Sequence, residues 1–481
     1  MTQPVALDSI GRFAHEVDVL VIGYGCAGAA AAMEAARAGA SVVVLERGSG
    51  PGGSSAQSGG ELYLGGGTAV QKACGFEDDA DNMYAYLEAA LGPHADTEKL
   101  RLYCDGSVEH FEWFRACGVA FNESLYDAPT WMPPTKDGLM WLGENAWPYN
   151  ELARPVPRGH RPATESWAGH AVMAALTATC DSVGVQTHTD TRARSLVMDG
   201  DRVVGVVARR FGETVSYRAR AVVITTGGFV DNEEMLVEHA PVLLGHGKVS
   251  DGFDDGSGIE MALAIGAKTR RMGFVEAAYT AVPAMVVRGM LVNGQGNRFI
   301  NEDVYPGLFS HAALHQPGPC WVILDEQGLD DVPSADAWGV RPTYAAETLA
   351  ELEAELGMPQ GSLQDTVAAY NRGAEQGSDP LFHKADKWVR RLEGPWAAID
   401  PRLGFVPDGS KSTGFSGFTL GGLATDVDGR VRRVGGDFVP GLYAAGRASS
   451  GMHGEGYISG TSLGDGTFFG RRAGVHAATA S

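Results

Sequence analysis

Two glycine-rich stretches hold the residues with the strongest chemical signal. The first is Gly23-Tyr24-Gly25-Cys26-Ala27-Gly28, with an acid, Glu46, closing the apolar run that follows. Gly23 suits a tight turn, Gly25 lets a backbone approach a pyrophosphate, and Gly28 lets a helix pack closely on a strand. Cys26 and Ala27 lie inside this loop, just before a helix whose free N–H groups and positive dipole end attract phosphate. Glu46, followed by Arg47, would accept hydrogen bonds from ribose hydroxyls, which favours an unphosphorylated ribose. The second stretch, "HGEGYISGTSLGDGTFFGRRAG" from His453 to Gly474, joins a hydroxyl-rich turn to a helix-like tail. A phosphate site has no need of its Tyr457 and Ser459.

These residues require particular elements around them. Val17 to Ile22 reads as a buried strand, Ala29 to Ala38 as an alanine-rich helix capped by Gly39, and Ser41 to Leu45 as a second buried strand. Strand, glycine turn, helix, strand and acid together form the dinucleotide βαβ fingerprint in its required context. The dinucleotide is NAD or FAD. The motif's N-terminal position and the second glycine-rich turn at the far end suit FAD proteins that close the flavin site with a C-terminal segment. "GPGGSSAQSGGELYLGGG" follows Glu46, and its Gly53, Ser54, Ser55, Ser58, Gly59 and Gly60 offer N–H and hydroxyl donors to a pyrophosphate and a ring.

The 481 residues allow two or three domain-sized units, with 44% apolar and 20% charged residues. A net charge of −21 argues against nucleic acid and against an anionic membrane surface. Six scattered cysteines, without a C-x-x-C, exclude zinc-ribbon, thioredoxin-type and c-type haem readings. Buried reduced thiols and the lack of a signal-peptide pattern predict a cytoplasmic protein. No run of eighteen apolar residues predicts a membrane span, and no metal ligand set stands out.

The dispersed blocks resemble the fumarate reductase/succinate dehydrogenase flavoprotein superfamily. They are the N-terminal fingerprint, "RARAVVITTGGFVDNEEM", "GQGNRFINEDVYPG", and "GFTLGGLATDVDGRV" with "VPGLYAAGRASSGMHG". The resemblance implies an α/β fold: a Rossmann-like FAD-binding domain of the glutathione-reductase/fumarate-reductase type, interrupted by an α+β capping domain. The expected boundaries are 1–276 for the first part of the FAD domain, 277–395 for the cap and 396–481 for the second part. Helices with capping signals at Thr348 or Ser362 are expected in the cap, and 150–164 reads as a Pro-Gly-Arg-rich loop. Ala193, Gly227, Gly446, Ser462 and Leu463 join the expected FAD contacts. The flavin is expected to be non-covalent, because family members with a histidyl bond carry His five residues before Gln57, where this chain has Gly52.

Dicarboxylate members of the superfamily grip substrate with an arginine in "HGANRLGGNA"; that position is Tyr457 here, and the first glycine of the following pair is Ser459. The proton-delivering arginine of the cap falls on Pro306, beside Tyr305. A buried carboxylate without those arginines would lack a partner, so the substrate is expected to be a neutral ketone. The pattern "GYISG-x-SLGDG-x-FFGR", with a tyrosine just after "RFINED", resembles the FAD-dependent 3-ketosteroid dehydrogenases, most closely the Δ4-(5α) type. That resemblance implies that Tyr457, with a backbone N–H near Gly460 or Thr461, polarises the C3 ketone. It implies that Tyr305 takes the C4 proton, relayed by Ser459, and that the C5 hydride goes to flavin N5; the roles of Tyr305 and Tyr457 are open to exchange. A tyrosine base requires its pKa, ordinarily about 10, to be lowered. Tyr63 and Tyr279 are further cleft-side tyrosines, read as packing residues. Family members often have an acid after the "AAG" strand that holds the ribityl chain; Arg447 stands there, and Asp465 or backbone groups are the expected substitutes. The alternatives are Δ1-dehydrogenation, a flavin-dependent ene-reductase acting on another neutral enone, and a non-catalytic FAD carrier. The expected partners are a steroid and an unidentified electron acceptor.

Overall fold

The computed structural model describes residues 3–165, 167–403 and 413–480. Its centre is a run of five parallel strands in the order Gln186–His188, Val42–Leu45, His15–Ile22, Glu213–Ile224 and Phe438–Ala444. Residues 19–22, Val42–Leu45 and residues 221–224 are buried on both sides and read as continuous apolar runs, whereas Gln186–His188 at the edge is polar and partly exposed. Val19 and Val21 face a helical layer, and Leu20 and Ile22 face the opposite core. The far end of Glu213–Ile224 continues as an antiparallel meander with Thr191–Asp199 and Arg202–Arg210.

The helical layer contains Cys26–Arg37, Gly169–Ser182 and the C-terminal helix Thr461–Thr479. Gly466, Gly470 and Gly474, four residues apart, bring the C-terminal helix onto the alanine-rich first helix. A methyl group at Gly470 would lie 2.6 Å from the Ala27 carbonyl oxygen, and one at Gly474 would lie 2.1 Å from that of Ala31. Small residues at this spacing let two backbones touch, and the contact sets both helices to start beside the same cleft.

Two antiparallel strands, Val275–Tyr279 and Phe415–Thr419, pair with Glu276 opposite Phe418 and link the central sheet to a second unit. That unit is a four-stranded antiparallel sheet in the order Met290–Asn293, Cys320–Asp325, Trp396–Ile399 and Tyr344–Ala346. One face packs on helices Leu349–Leu356 and Ser362–Ala374; the other, through Leu291, Val322 and Leu324, packs toward the cleft. Thr348 caps its helix in a capping box with Glu351, whereas Gly361, not Ser362, caps the next.

Segment 150–164 is irregular over most of its length, as expected of a loop, but it is interrupted by a short strand and anchored in the core. Gly159–His160 is an interior strand of a small sheet with Leu62–Tyr63, Leu139–Met140 and Leu125–Tyr126. Arg158 and Arg161 are fully buried. Arg158 forms a two-pronged pair with Asp78 at 2.9 and 2.7 Å, and Arg161 donates to the carbonyls of Pro133 and Thr135. Paired or carbonyl-bonded arginines can be buried, which their charge hides in a sequence. Among the described residues, no helix is long and apolar enough to cross a membrane, and all six cysteines are unpaired.

Because a side chain at Gly474 must displace the Ala31 carbonyl, Gly474→Ala is expected to cost about 1–3 kcal/mol in urea unfolding. Gly435→Ala, which meets nothing within 4 Å, should stay within about 0.5 kcal/mol of the parent.

Candidate active site

A cleft of about 680 Å³ runs from the glycine turn after the first strand to the underside of the cap. Its cofactor half is built from the turn outward. Gly23 has φ +99 and no room for a side chain, since one would meet the Thr225 carbonyl oxygen at 2.6 Å. Gly28 lies against the Gly23 carbonyl and does not line the cleft, in keeping with a packing role. Ser55 Oγ accepts from the Cys26 amide at 3.1 Å. The Glu46 carboxylate accepts from the Tyr24 and Gly48 amides at 2.8 and 2.6 Å, leaving lone pairs for hydroxyl groups. Arg47 stacks on Phe253 and shares Asp255 with Arg192.

Cys26, Ala27, Arg47, Gly53, Ser54, Ser55, Ser58, Gly59, Gly60, Ala193, Gly227, Gly446, Ser462 and Leu463 all border this cleft, as do Gly25 and Glu46. The C-terminal helix opens here after Gly460, which is left-handed at φ +84. Ser462 Oγ is buried there without a hydrogen-bond partner. A crevice that side chains would fill, two helix N-termini and an unsatisfied hydroxyl fit a flavin dinucleotide. Asp465 does not face this space: its carboxylate accepts from the Met452 amide at 2.9 Å, and burial pushes its pKa up to about 6. The acid that lines the cleft beside Gly227 is Asp254, paired with Arg447.

The other half of the cleft is apolar, with Trp131, Met132, Ala278, Tyr279 and Phe418 on its walls. Tyr305 enters at the start of helix Pro306–Leu314 and is 2% exposed. The preceding loop is locked by a buried fork in which Arg298 donates to Glu302 at 2.8 and 2.6 Å and to Asp379 at 3.0 and 2.7 Å. Such a network fixes the approach of the chain. Tyr305 Oη and Ser459 Oγ are 2.7 Å apart. Tyr457 stacks on His453, with centroids 5.4 Å apart, and meets Phe418 edge-on. Thr461 Oγ1 donates to the Ile458 carbonyl at 2.5 Å, so His453 Nε2 must donate to Thr461 at 2.8 Å. Burial holds that imidazole neutral, with a pKa near 3.

Thr461 is therefore turned away from the cleft, and its amide is also used by the Ile458 carbonyl at 3.1 Å. The helix start twists its side chain back toward the turn. Gly460 borders the cleft and its N–H has no partner among the described residues, so it is the available donor. Tyr63 donates to Glu144 and does not line the cleft; Tyr279 lines it but gives its hydroxyl to the Cys320 carbonyl at 2.6 Å.

Both reactive phenols are pushed above the ordinary tyrosine range, first by burial and then by the nearby carboxyls of Glu276 and Glu61. The lowered pKa expected of a tyrosine base is thus not a resting property of either residue. The two acids were missed in the sequence. Each is a lone carboxyl in an apolar or glycine-rich run, "FVEAAY" and "SGGELYL", and that isolation was the available signal. The cations along the cleft, Arg47, Arg192, Lys248 and Arg447, all have carboxylate partners.

Residues 18–463 match the model of a family described as FAD binding domain. The chain is similar to 3-ketosteroid-Δ4-(5α)-dehydrogenase from Rhodococcus jostii RHA1, solved in complex with 4-androstene-3,17-dione. The identity is 47%, covering 99% of this chain and 100% of that one, with a TM-score of 0.94. A 3-oxosteroid 1-dehydrogenase of Mycobacterium tuberculosis is 28% identical over 96% of this chain and 98% of its own. A cytochrome-type fumarate reductase of Shewanella frigidimarina is 27% identical over 96% and 77%.

Replacing Glu46 by Gln removes a charge-assisted acceptor, worth about 1.5–3 kcal/mol. FAD affinity, read by quenching of flavin fluorescence, is expected to fall about tenfold or more.

Proposed function

The chain belongs to the FAD binding domain family, and on that footing we propose that it is an FAD-dependent dehydrogenase of 3-ketosteroids that introduces the 4,5 double bond into 5α substrates. The observation that carries this reading is the convergence of Tyr305, Ser459 and Tyr457 on an apolar cleft half whose nearby charged groups are carboxyls. A dicarboxylate would find no free arginine there; a flat, neutral ketone would find two phenols and an open N–H. The Rhodococcus relative supports the 4,5 regiochemistry over the 1,2 alternative by its 47% identity, against 28% for the Mycobacterium enzyme.

Bound FAD supplies the acceptor for the hydride that leaves the ring. Tyr457 Oη and the Gly460 N–H donate to the ketone oxygen, stabilising the negative charge that grows there as the neighbouring C–H bond breaks. Tyr305 Oη receives that proton. A neutral phenol accepts a proton only by handing on its own, and Ser459 Oγ, 2.7 Å away and only part-buried on the cleft, takes it and passes its own proton to solvent water. The substrate thus loses one proton and one hydride as the carbon–carbon double bond forms. Burial of Tyr305 and the edge of Phe418 on Tyr457 keep water from competing for these donors. Six unpaired cysteines accord with a cytoplasmic location. An acceptor of unstated identity takes the electrons onward.

With 5α-androstane-3,17-dione and an artificial electron acceptor, the expected product carries the 4,5 double bond. Tyr305→Phe and Tyr457→Phe should each retain flavin and lower kcat by about 10²–10³-fold. A 1,2 double bond would overturn the regiochemistry, and undiminished turnover in both variants would overturn the site.

A further inference from the structure

Glu276 is a buried titratable group for which the proton transfer above has no use. It sits on the first strand into the cap, opposite Phe418, lines the cleft and is 5% exposed. No arginine, lysine or histidine among the described residues pairs with it, and the only group favouring its charge is the Ala277 amide. Its carboxyl meets Tyr305 over Gly307: a side chain there would strike the Tyr305 ring at 2.3 Å and Glu276 Oε1 at 2.8 Å. The other titratable groups that bear on this corner are Tyr457 and Glu61; Arg161, 3.7 Å from Glu61, is the nearest cation to that acid.

A carboxyl buried without a cation favours its uncharged form. Two negative charges cannot share one dry corner, so an ionised Glu276 would oppose the phenolate character that Tyr305 gains as its proton leaves for Ser459 ahead of the proton arriving from the ring. Resting on the dehydrogenase reading, we propose that Glu276 is a positioning residue that works as an uncharged carboxylic acid beside Tyr305, and that its neutrality is the condition for the phenol to pass its proton to Ser459. The sign follows. Burial raises the carboxyl well above the usual glutamate range. The site is competent below that raised value and fails as pH rises through it.

The test is the pH dependence of anaerobic flavin bleaching by a saturated 3-ketosteroid, in single turnover, for the holoenzyme and for Glu276→Gln and Glu276→Met. Neither replacement can ionise, and Met guards against a hydrogen-bonding effect peculiar to Gln. The expected result is an alkaline loss of rate in the parent that moves up by at least about one pH unit, or disappears, in both variants. The same alkaline limb in parent and variants overturns the inference, and so does a parent rate without such a limb. A parent whose flavin does not bleach at any pH overturns instead the dehydrogenase reading on which it rests.

Discussion

The close packing of the C-terminal helix on the first helix governs the site. Gly466, Gly470 and Gly474 remove every side chain that would separate it from Cys26, Ala27 and Ala31. The two helices, distant in sequence, therefore begin within one cleft and turn their unsatisfied N–H groups toward it. The turn that leads into the C-terminal helix is fixed by the same contact. Lys99 holds the Ser450 carbonyl at 3.0 Å, Asp465 holds the Met452 amide, and His453 ties the turn to Thr461. Tyr457 is thus delivered to the mouth of the cap by packing that begins at the phosphate loop.

The cleft is electrostatically divided. Along the cofactor half, helix ends and paired arginines favour a dianionic pyrophosphate. Toward the cap, phenols, a serine, the cation-free carboxyl of Glu276 and a Glu61 paired with Arg161 favour a neutral ligand. The division explains how one scaffold hosts both this chain and the fumarate reductases it resembles. An arginine at the position of Tyr457 would draw a carboxylate in; a phenol between His453 and Phe418 offers one directed hydrogen bond and an apolar face. Burial keeps both phenols protonated at rest, which suits the proposed roles: Tyr457 donates to the ketone, and Tyr305 relays a proton rather than acting as a standing phenolate.

Much of this was legible in the sequence where the controlling interactions are local. The strand, glycine turn, helix and acid from 17 to 46 follow one another in the chain, and each appears within a residue or three of its expected place. The motif resemblance pointed to Tyr305 and Tyr457, and both line the cleft. The failures are non-local. Thr461 was expected to face substrate, but its direction is set by the turn it closes with Ile458. The short strand inside the 150–164 loop was missed because its two partners, Leu62–Tyr63 and Leu139–Met140, come from separate stretches of the chain. Asp254, the acid that lines the cleft where Asp465 was expected, was invisible because only the folded chain brings it to Arg447. Glu276 was passed over because its neighbour across the strand pair, Phe418, and its neighbour over Gly307, Tyr305, lie far away in sequence.

A structure of the chain with FAD and a 3-ketosteroid bound tests the central claim most directly. The account predicts the C3 ketone oxygen within hydrogen-bond distance of both Tyr457 Oη and the Gly460 N–H, about 2.6–3.1 Å, with Tyr305 Oη over C4. A ketone held by Tyr305, or a steroid lying with its ketone away from both phenols, would contradict it.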